Sequence, residues 1–373
     1  MKRLLPEICH IQYGFAFDSK CFSDSKGTPL IRIRDVVRGY SETYTTEECG
    51  EEYHVFDGDL LIGMDGEFNI AKWNGGKAYL NQRVCKLTPS EEIDAEYLYY
   101  FMPKALKAIE DKTPFVTVKH LSAKQLNAVE VPLPDLEEQQ KISVSLSRVD
   151  RLIALRKQQL EKLDELVKAR FVELFDDSNY PSEPLDNNVI EMFIGPFGSS
   201  LKNEVFVEEK DGFCMVYEQK HAIQKTMNVP TRYVPKSKYE ELKRFTILGG
   251  DIIVSCRGTI GEVYTVPDDA PMGIMHPSIM KIRLDTQKYN QKFFVFALEQ
   301  YMDEHSAEAK GSGVKMAVSA TVLGQSDFVV PPMEVQNQFA AFVEQTDKSK
   351  LAIQKSLEQL ETLKKGLMQQ YFG

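Results

Sequence analysis

Three Glu-x-Lys tripeptides, Glu110-Asp111-Lys112, Glu218-Gln219-Lys220 and Glu308-Ala309-Lys310, carry the residue types of a metal-dependent nuclease. With charged residues at 27% of the chain such triplets arise by accident, and none has the sequence context of a metal site. Other chemistries lack their frames. There is no P-loop and no HExxH, and Gly311-Ser312-Gly313 has neither a third glycine nor a preceding strand. An Asn/Asp-Pro-Pro-aromatic motif, usual in amino-methylating enzymes, is also missing. What remains is the chemistry of charge and hydrogen-bond recognition. Arg32, Arg34 and Arg38 cluster in PLIRIRDVV, whose alternation predicts a strand with Arg32 and Arg34 on one face. Lys112, Lys119, His120 and Lys124 form a second basic cluster, and Lys236, Lys238, Lys243 and Arg244 a third.

These groups sit in a chain that is acidic overall, with a net charge of −10. Residues 1–135 hold 16 basic and 21 acidic groups, and residues 176–332 hold 16 and 22, so neither stretch is a polycation. Phosphate neutralisation dominates affinity for nucleic acid, so a nucleic-acid-binding chain of this charge would need partners that add basic surface. The six cysteines are scattered without a CxxC pair, which predicts reduced, mostly buried thiols rather than disulfides or structural zinc. No run has the length of a signal peptide or a membrane span, and the expected location is the cytoplasm.

The elements that must position these groups come in two copies. Phe56-Asp-Gly-Asp-Leu-Leu61 matches Leu248-Gly-Gly-Asp-Ile-Ile253, each followed by a further glycine, Gly66 or Gly258. Both read as a turn, a buried strand and a loop. NQRVCK matches HPSIMK at Val84 and Ile279, YLYYFM (97–102) matches FFVFAL (293–298) as helices, and PDLEEQ (134–139) matches PPMEVQ (331–336). The offset drifts only from 192 (Asp59 to Asp251) to 197 (Gln139 to Gln336). Four ordered matches at a nearly constant offset are the mark of a diverged internal repeat.

After each proline cluster comes a long segment without proline. Ile142, Leu146, Val149, Ile153, Leu160, Leu163 and Val167 follow heptad spacing in the first. Phe339, Val343, Thr346, Ile353, Leu357, Leu360 and Leu367 follow it in the second. Arg156 interrupts one stripe, and Lys350 and Lys364 the other. Matched register predicts two helices of roughly 60 Å, pairing as an antiparallel coil with Leu160 and Leu163 buried in the seam; the alternative is two separate amphipathic core helices. The expected order is a globular domain (1–135), a helix (136–175), a second globular domain (176–332) and a second helix (333–373). Asp176-Asp177-Ser178-Asn179-Tyr180-Pro181 is read as a linker. The fold class is α+β, two similar domains separated by two long helices and related by a pseudo-twofold axis.

Together these motifs resemble the specificity subunits of type I restriction-modification systems over nearly the whole chain. GDLLIGMDGEFN (58–69), GDIIVSCRGTIG (250–261) and GPFGSSLK (195–202) are similar to segments of that family's target-recognition domains. VPLPDLEEQ and VPPMEVQ are similar to the starts of its spacer helices. The resemblance implies a non-catalytic subunit that reads a bipartite double-stranded DNA target, one half per domain, with the helices fixing the gap. It implies two methyltransferase subunits bringing S-adenosylmethionine and translocase–nuclease subunits bringing ATP and magnesium, with no cofactor and no membrane for this chain. Arginine and lysine suit guanine, and asparagine and glutamine suit adenine. The candidate DNA contacts are therefore Arg32, Arg34, Asp65, Glu67, Asn69, Gln82, Arg83 and Lys119 in the first domain. In the second they are Gln219, Lys220, Arg257, Thr259 and His276. Two other classes stay open: an enzyme with a fused modification or nuclease function, and a coiled-coil scaffold for protein partners.

Overall fold

The computed structural model describes residues 1–113, 119–176, 180–312 and 319–373. The chain divides into two compact units, Met1–Gln159 with Ile353–Gly373, and Leu160–Ala352. In the first, an antiparallel sheet runs in the order Cys9–Tyr13, Val84–Pro89, Leu60–Gly63, Asn69–Lys72. A second sheet runs Phe22–Ser23, Tyr44–Thr45, Thr28–Ile31, Ala78–Leu80, His54–Val55, with Thr28–Ile31 parallel to Ala78–Leu80. The second unit repeats this. Its antiparallel sheet is Val189–Ile194, Ile279–Leu284, Ile252–Ser255, Val263–Thr265. Its other sheet is Tyr233–Val234, Cys214–Tyr217, Gly273–Met275, Thr246–Ile247, again with a parallel central pair. The class is α+β, as the mixed pattern predicts.

The sequence repeat holds down to single atoms. Val84 pairs with Gly63 as Ile279 pairs with Ser255. Gly58 (φ 94°) and Gly250 (φ 83°) make the turns that only glycine enters cheaply. In each turn the following aspartate closes the loop. Asp59 Oδ2 accepts the Phe56 N–H and Asp251 Oδ2 the Leu248 N–H, both at 2.9 Å. Matched lysines then tie the two sheets of each unit together, Lys86 Nζ donating to the His54 carbonyl (2.7 Å) and Lys281 Nζ to the Thr246 carbonyl (3.1 Å). The helices foreseen over 97–102 and 293–298 are Ala95–Lys112 and Gln291–Ser312.

The long helices are Leu136–Phe175 and Met333–Phe372, each 40 residues. Glutamine in the Glu-x-Gln of their first turn has the same buried task in both. Gln139 accepts the Asp94 N–H (2.8 Å) and donates to the Glu92 and Pro134 carbonyls. Gln336 accepts the Asn290 N–H (2.8 Å) and donates to the Lys288 and Pro331 carbonyls. Each amide thus satisfies backbone groups that burial would otherwise strand, locking a long helix to the start of the domain helix.

The polar interruptions of the heptads make the cross-helix contacts. In the first unit Lys364 pairs with Asp150 (2.6 Å) and Arg156 Nε donates to Ser356 Oγ (3.2 Å), so one number rises as the other falls and the segments are antiparallel. In the second unit Lys350 pairs with Asp164 at 2.5 Å. Seam positions Leu146 and Phe339 are fully buried, because each globular core closes over them. Leu160 and Leu163 are only half-buried, against the expectation that the seam would bury them.

A second correction concerns PLIRIRDVV. The strand stops at Ile31, and Ile33–Arg38 is a short helix. Asp35 decides this: its Oδ2 accepts the Arg32 N–H at 2.9 Å, an end-cap that no extended strand could form. All six cysteines are free; Cys9, Cys85, Cys214 and Cys256 are buried, and burial pushes the Cys85 thiol up to about 12. Residues 177–179 of the linker and Gly313 lie outside the described residues, as do the side chains of Glu308 and Lys310. Among the described residues no helix is long and apolar enough to cross a membrane.

Candidate nucleic-acid interface

In each unit the candidates gather where the parallel strand pair ends and the glycine loop of the antiparallel sheet comes alongside. In the first unit Thr28–Ile31 runs into Arg32 and the short helix, and Ala78–Leu80 into Asn81, Gln82 and Arg83. The loop after Leu60–Gly63 turns at Gly66 (φ 75°) and is held by the chain at 119–121: the Gly66 N–H donates to the Lys119 carbonyl (2.9 Å), and the Leu121 N–H to the Met64 carbonyl (2.7 Å). Asp65 is its electrostatic centre, 2.5 Å from His120 Nδ1 and 3.5 Å from Arg83 Nε. Arg83 and Gln82 are exposed, as is Glu67 at the loop tip. Arg32 and Arg34 are exposed on the helix; Arg34 donates to Thr43 Oγ1 at 3.3 Å. The Lys119 ammonium pairs with Glu110 (3.3 Å), so its backbone supports the loop while its charge is spent internally. The same pairing occupies the carboxylate of the Glu110-Asp111-Lys112 tripeptide.

In the second unit Cys214–Tyr217 runs into Glu218, Gln219 and Lys220, and Gly273–Met275 into His276. The His276 N–H donates to the Tyr217 carbonyl at 2.9 Å, which fastens the two strand ends together. The loop carrying exposed Arg257 and Thr259 turns at Gly258 (φ 69°), beside the Gln219 amide. Glu218 is buried between two cations, Lys220 Nζ at 2.7 Å and the Arg232 guanidinium. Burial works against its charged form, yet the two cations outweigh it and hold its pKa below the ordinary carboxylate value. His276 is pushed the other way. Burial lowers its pKa; Glu218 opposes this, and Arg232, Arg257 and Lys220 add to it. Its Nδ1 accepts the Ser278 N–H (3.2 Å), which leaves the proton on Nε2 as a donor.

In each interface an amide acceptor has no donor among the described residues. Asn69 Oδ1 in the first unit and Gln219 Oε1 in the second are buried and unpaired. Leaving such an atom unsatisfied costs about 1–3 kcal/mol, so each calls for a donor, which an ordered water can supply as well as a ligand.

Sequence reasoning assembled most of this set but missed its internal correspondence. Strand register aligns Arg32 with Glu218, Arg34 with Lys220 and Asn81 with His276. The loops align Asp65 with Arg257. Within the basic cluster of Lys236, Lys238, Lys243 and Arg244, Lys238 pairs with Glu241 (2.8 Å), and Lys236 and Arg244 lie over the Phe213 and Phe193 rings. Two members, Glu218 as a charge and Arg232, were not foreseen. Arg232 lies between turn residues in NVPTRYVP, and its partner is far upstream, so local sequence carried no signal.

The profile for the type I restriction modification DNA specificity domain matches residues 1–165 and 210–363. The EcoBI type I restriction enzyme specificity subunit of Escherichia coli is 40% identical over 166 residues, 44% of this chain and 35% of that protein. The MjaVIII specificity subunit of Methanocaldococcus jannaschii is 22% identical over 371 residues, 91% of this chain and 87% of that one. In fold, the chain is similar to the S subunit of a type I restriction-modification system from M. genitalium, with TM-score 0.58, 16% identity, and 99% and 94% of the two chains covered. A structure described for assembly and conformational transition of the type I system gives TM-score 0.61 at 16% identity, covering 100% and 97%. The profile takes in both candidate interfaces except for the segment before residue 210, and the chain belongs to the type I restriction-modification DNA specificity family.

Proposed function

We propose that this chain is the cytoplasmic DNA-reading subunit of a type I restriction-modification complex. Each unit reads one half of a bipartite duplex target, and the helices set the gap. The observation that supports this most is the duplicated ledge: one backbone frame, built twice, carrying different base-reading side chains. Arginine and amide groups at each ledge have the donors and acceptors that discriminate base edges in the major groove. The chain contributes no catalysis of its own. Two methyltransferase subunits bring S-adenosylmethionine, and translocase–nuclease subunits bring ATP and magnesium. Two features favour such partners. Leu152, Leu155, Leu166, Leu351 and Leu363 are exposed on the long helices, apolar surface that a partner helix would cover. The net charge of −10 leaves phosphate neutralisation to other subunits.

The test is a matched heptad inserted in both long helices of the chain assembled with its methyltransferase subunits. Seven residues add about 10 Å of helix, about three base pairs at about 3.4 Å each. The methylation map of this variant is expected to keep both half-sequences and lengthen the gap. A four-residue insertion shifts the heptad phase and is expected to be worse tolerated. An unchanged gap with full activity, or altered half-sites at the old gap, would contradict the reading.

A further inference from the structure

The second unit contains two arginines of similar exposure that are used in opposite ways. Arg283, 30% exposed, spends its guanidinium on the protein: Nε and Nη2 on Asp251 at 2.7 and 2.8 Å, Nη1 on Glu191 at 3.2 Å. That is an arginine built into a fold, with its planar fork filled. Arg232, 33% exposed, gives only Nη2 to Glu218 Oε1. Its Cζ lies over the Phe206 ring, 3.9 Å from the centroid. Among the described residues no other acceptor takes its remaining N–H groups. The group is held on one edge and one face while the other edge stays open.

Its backbone is equally fixed. The Arg232 carbonyl accepts the Val216 N–H at 2.8 Å, which places it beside the strand that ends in Glu218. Glu218 Oε2 meets Lys220 at 2.7 Å, and Lys220, Arg257 and Arg232 all lie within electrostatic reach of His276. The corresponding position of the first unit, by the pairing of Tyr44 and Tyr233 with their neighbouring strands, is Thr43, which accepts from Arg34. One ledge has a hydroxyl there and the other a stacked cation.

We propose that Arg232 is a further specificity-determining residue of the second ledge, with its open edge reading a base, and that Glu218 is the positioning residue that aims it and Lys220. A stacked, singly anchored guanidinium loses little freedom on binding, and its free edge fits the paired acceptors of guanine. The proposal rests on the DNA-reading function above.

The experiment uses the full chain assembled with its methyltransferase subunits on a pool of randomised duplexes, sequenced for methylated sites. Arg232→Ala is expected to lower discrimination at one or two positions by about tenfold or more. Those positions should lie in the half-site that Arg257→Ala relaxes, with the other half and the gap unchanged. Glu218→Gln keeps the shape but loses the charge that holds both cations; it should weaken the same positions and, because both cations hold its pKa low, also lower the midpoint of thermal unfolding. Arg232→Lys keeps the charge without the fork and should not restore discrimination. Three results would overturn the proposal. Uniform weakening over all sequences means a phosphate contact. An unchanged site with a lowered unfolding midpoint means a brace. Full rescue by Arg232→Lys means charge alone. If the unsubstituted assembly selects no bipartite site, the DNA-reading function falls as well; if it selects one and Arg232→Ala leaves it intact, only this inference falls.

Discussion

The two ledges share a backbone and disagree in charge. Where the first has Arg32 the second has Glu218, and where the first has Asp65 the second has Arg257. The frame beneath does not follow these reversals. Asp35 and His221 both accept the N–H three residues before them, at 2.9 and 3.1 Å, so the short helix is capped the same way by an acid in one unit and an imidazole in the other. The lesson is a separation of duties. Buried turns, caps and amide braces fix where the ledge lies, and the side chains set on it are free to change sign. Two ledges that differ this much are expected to read two different half-sequences.

The largest expected effect tests the shared frame. Gln139→Ala and Gln336→Ala each delete a fully buried amide that makes three backbone hydrogen bonds. At about 1 kcal/mol net per bond, each is expected to cost about 3 kcal/mol in equilibrium unfolding, and the two costs should agree within about 1 kcal/mol. A large cost for one and none for the other would end the claim that the frame is duplicated.

The smallest expected effect separates the units by pH. His221 and His276 both have lowered pKa values, with burial the main cause. A folded pKa below the unfolded one means that the fold prefers the neutral ring. This contribution is therefore fully present above about pH 6.5 and is lost as the pH falls through the folded values. Hydrogen exchange corrected for intrinsic rates is expected to show Cys214–Tyr217 and Gly273–Met275 losing protection on mild acidification before Thr28–Ile31 and Ala78–Leu80 do. Parallel loss in both units would remove this distinction.

Much of the frame was legible in the sequence because glycine, proline and glutamine sit where the backbone demands them. Gly58 and Gly250 pinned the alignment, and the glutamines at 139 and 336 marked the helix starts. The heptad interruptions were visible too, although their role as cross-helix pairs needed the structure. Legibility failed nearer the start of each domain, where loop lengths differ. The offset is 181 at the close-packed Gly14 and Gly195, 186 at Arg32 and Glu218, and 192 only from Asp59 onward. Without those steps, Arg34 and Lys220 could both be chosen and still not be seen as one position. The alternation of PLIRIRDVV misled because a six-residue helix is too short to show its own period, so its capping aspartate decided the outcome. Arg232 was hidden because its anchor is a distant carboxylate.

The most direct test of the central claim, two independent ledges on one repeated frame, is a paired methylation-site map. Arg83→Ala and Arg257→Ala, each in the full chain assembled with its methyltransferase subunits, remove one exposed arginine from each ledge. A good base contact contributes about 1–3 kcal/mol of discrimination, roughly tenfold to a hundredfold. The account predicts that each variant relaxes a different half of the target and leaves the other half and the gap unchanged. Relaxation of the same half by both, or uniform weakening at every site by both, would contradict it.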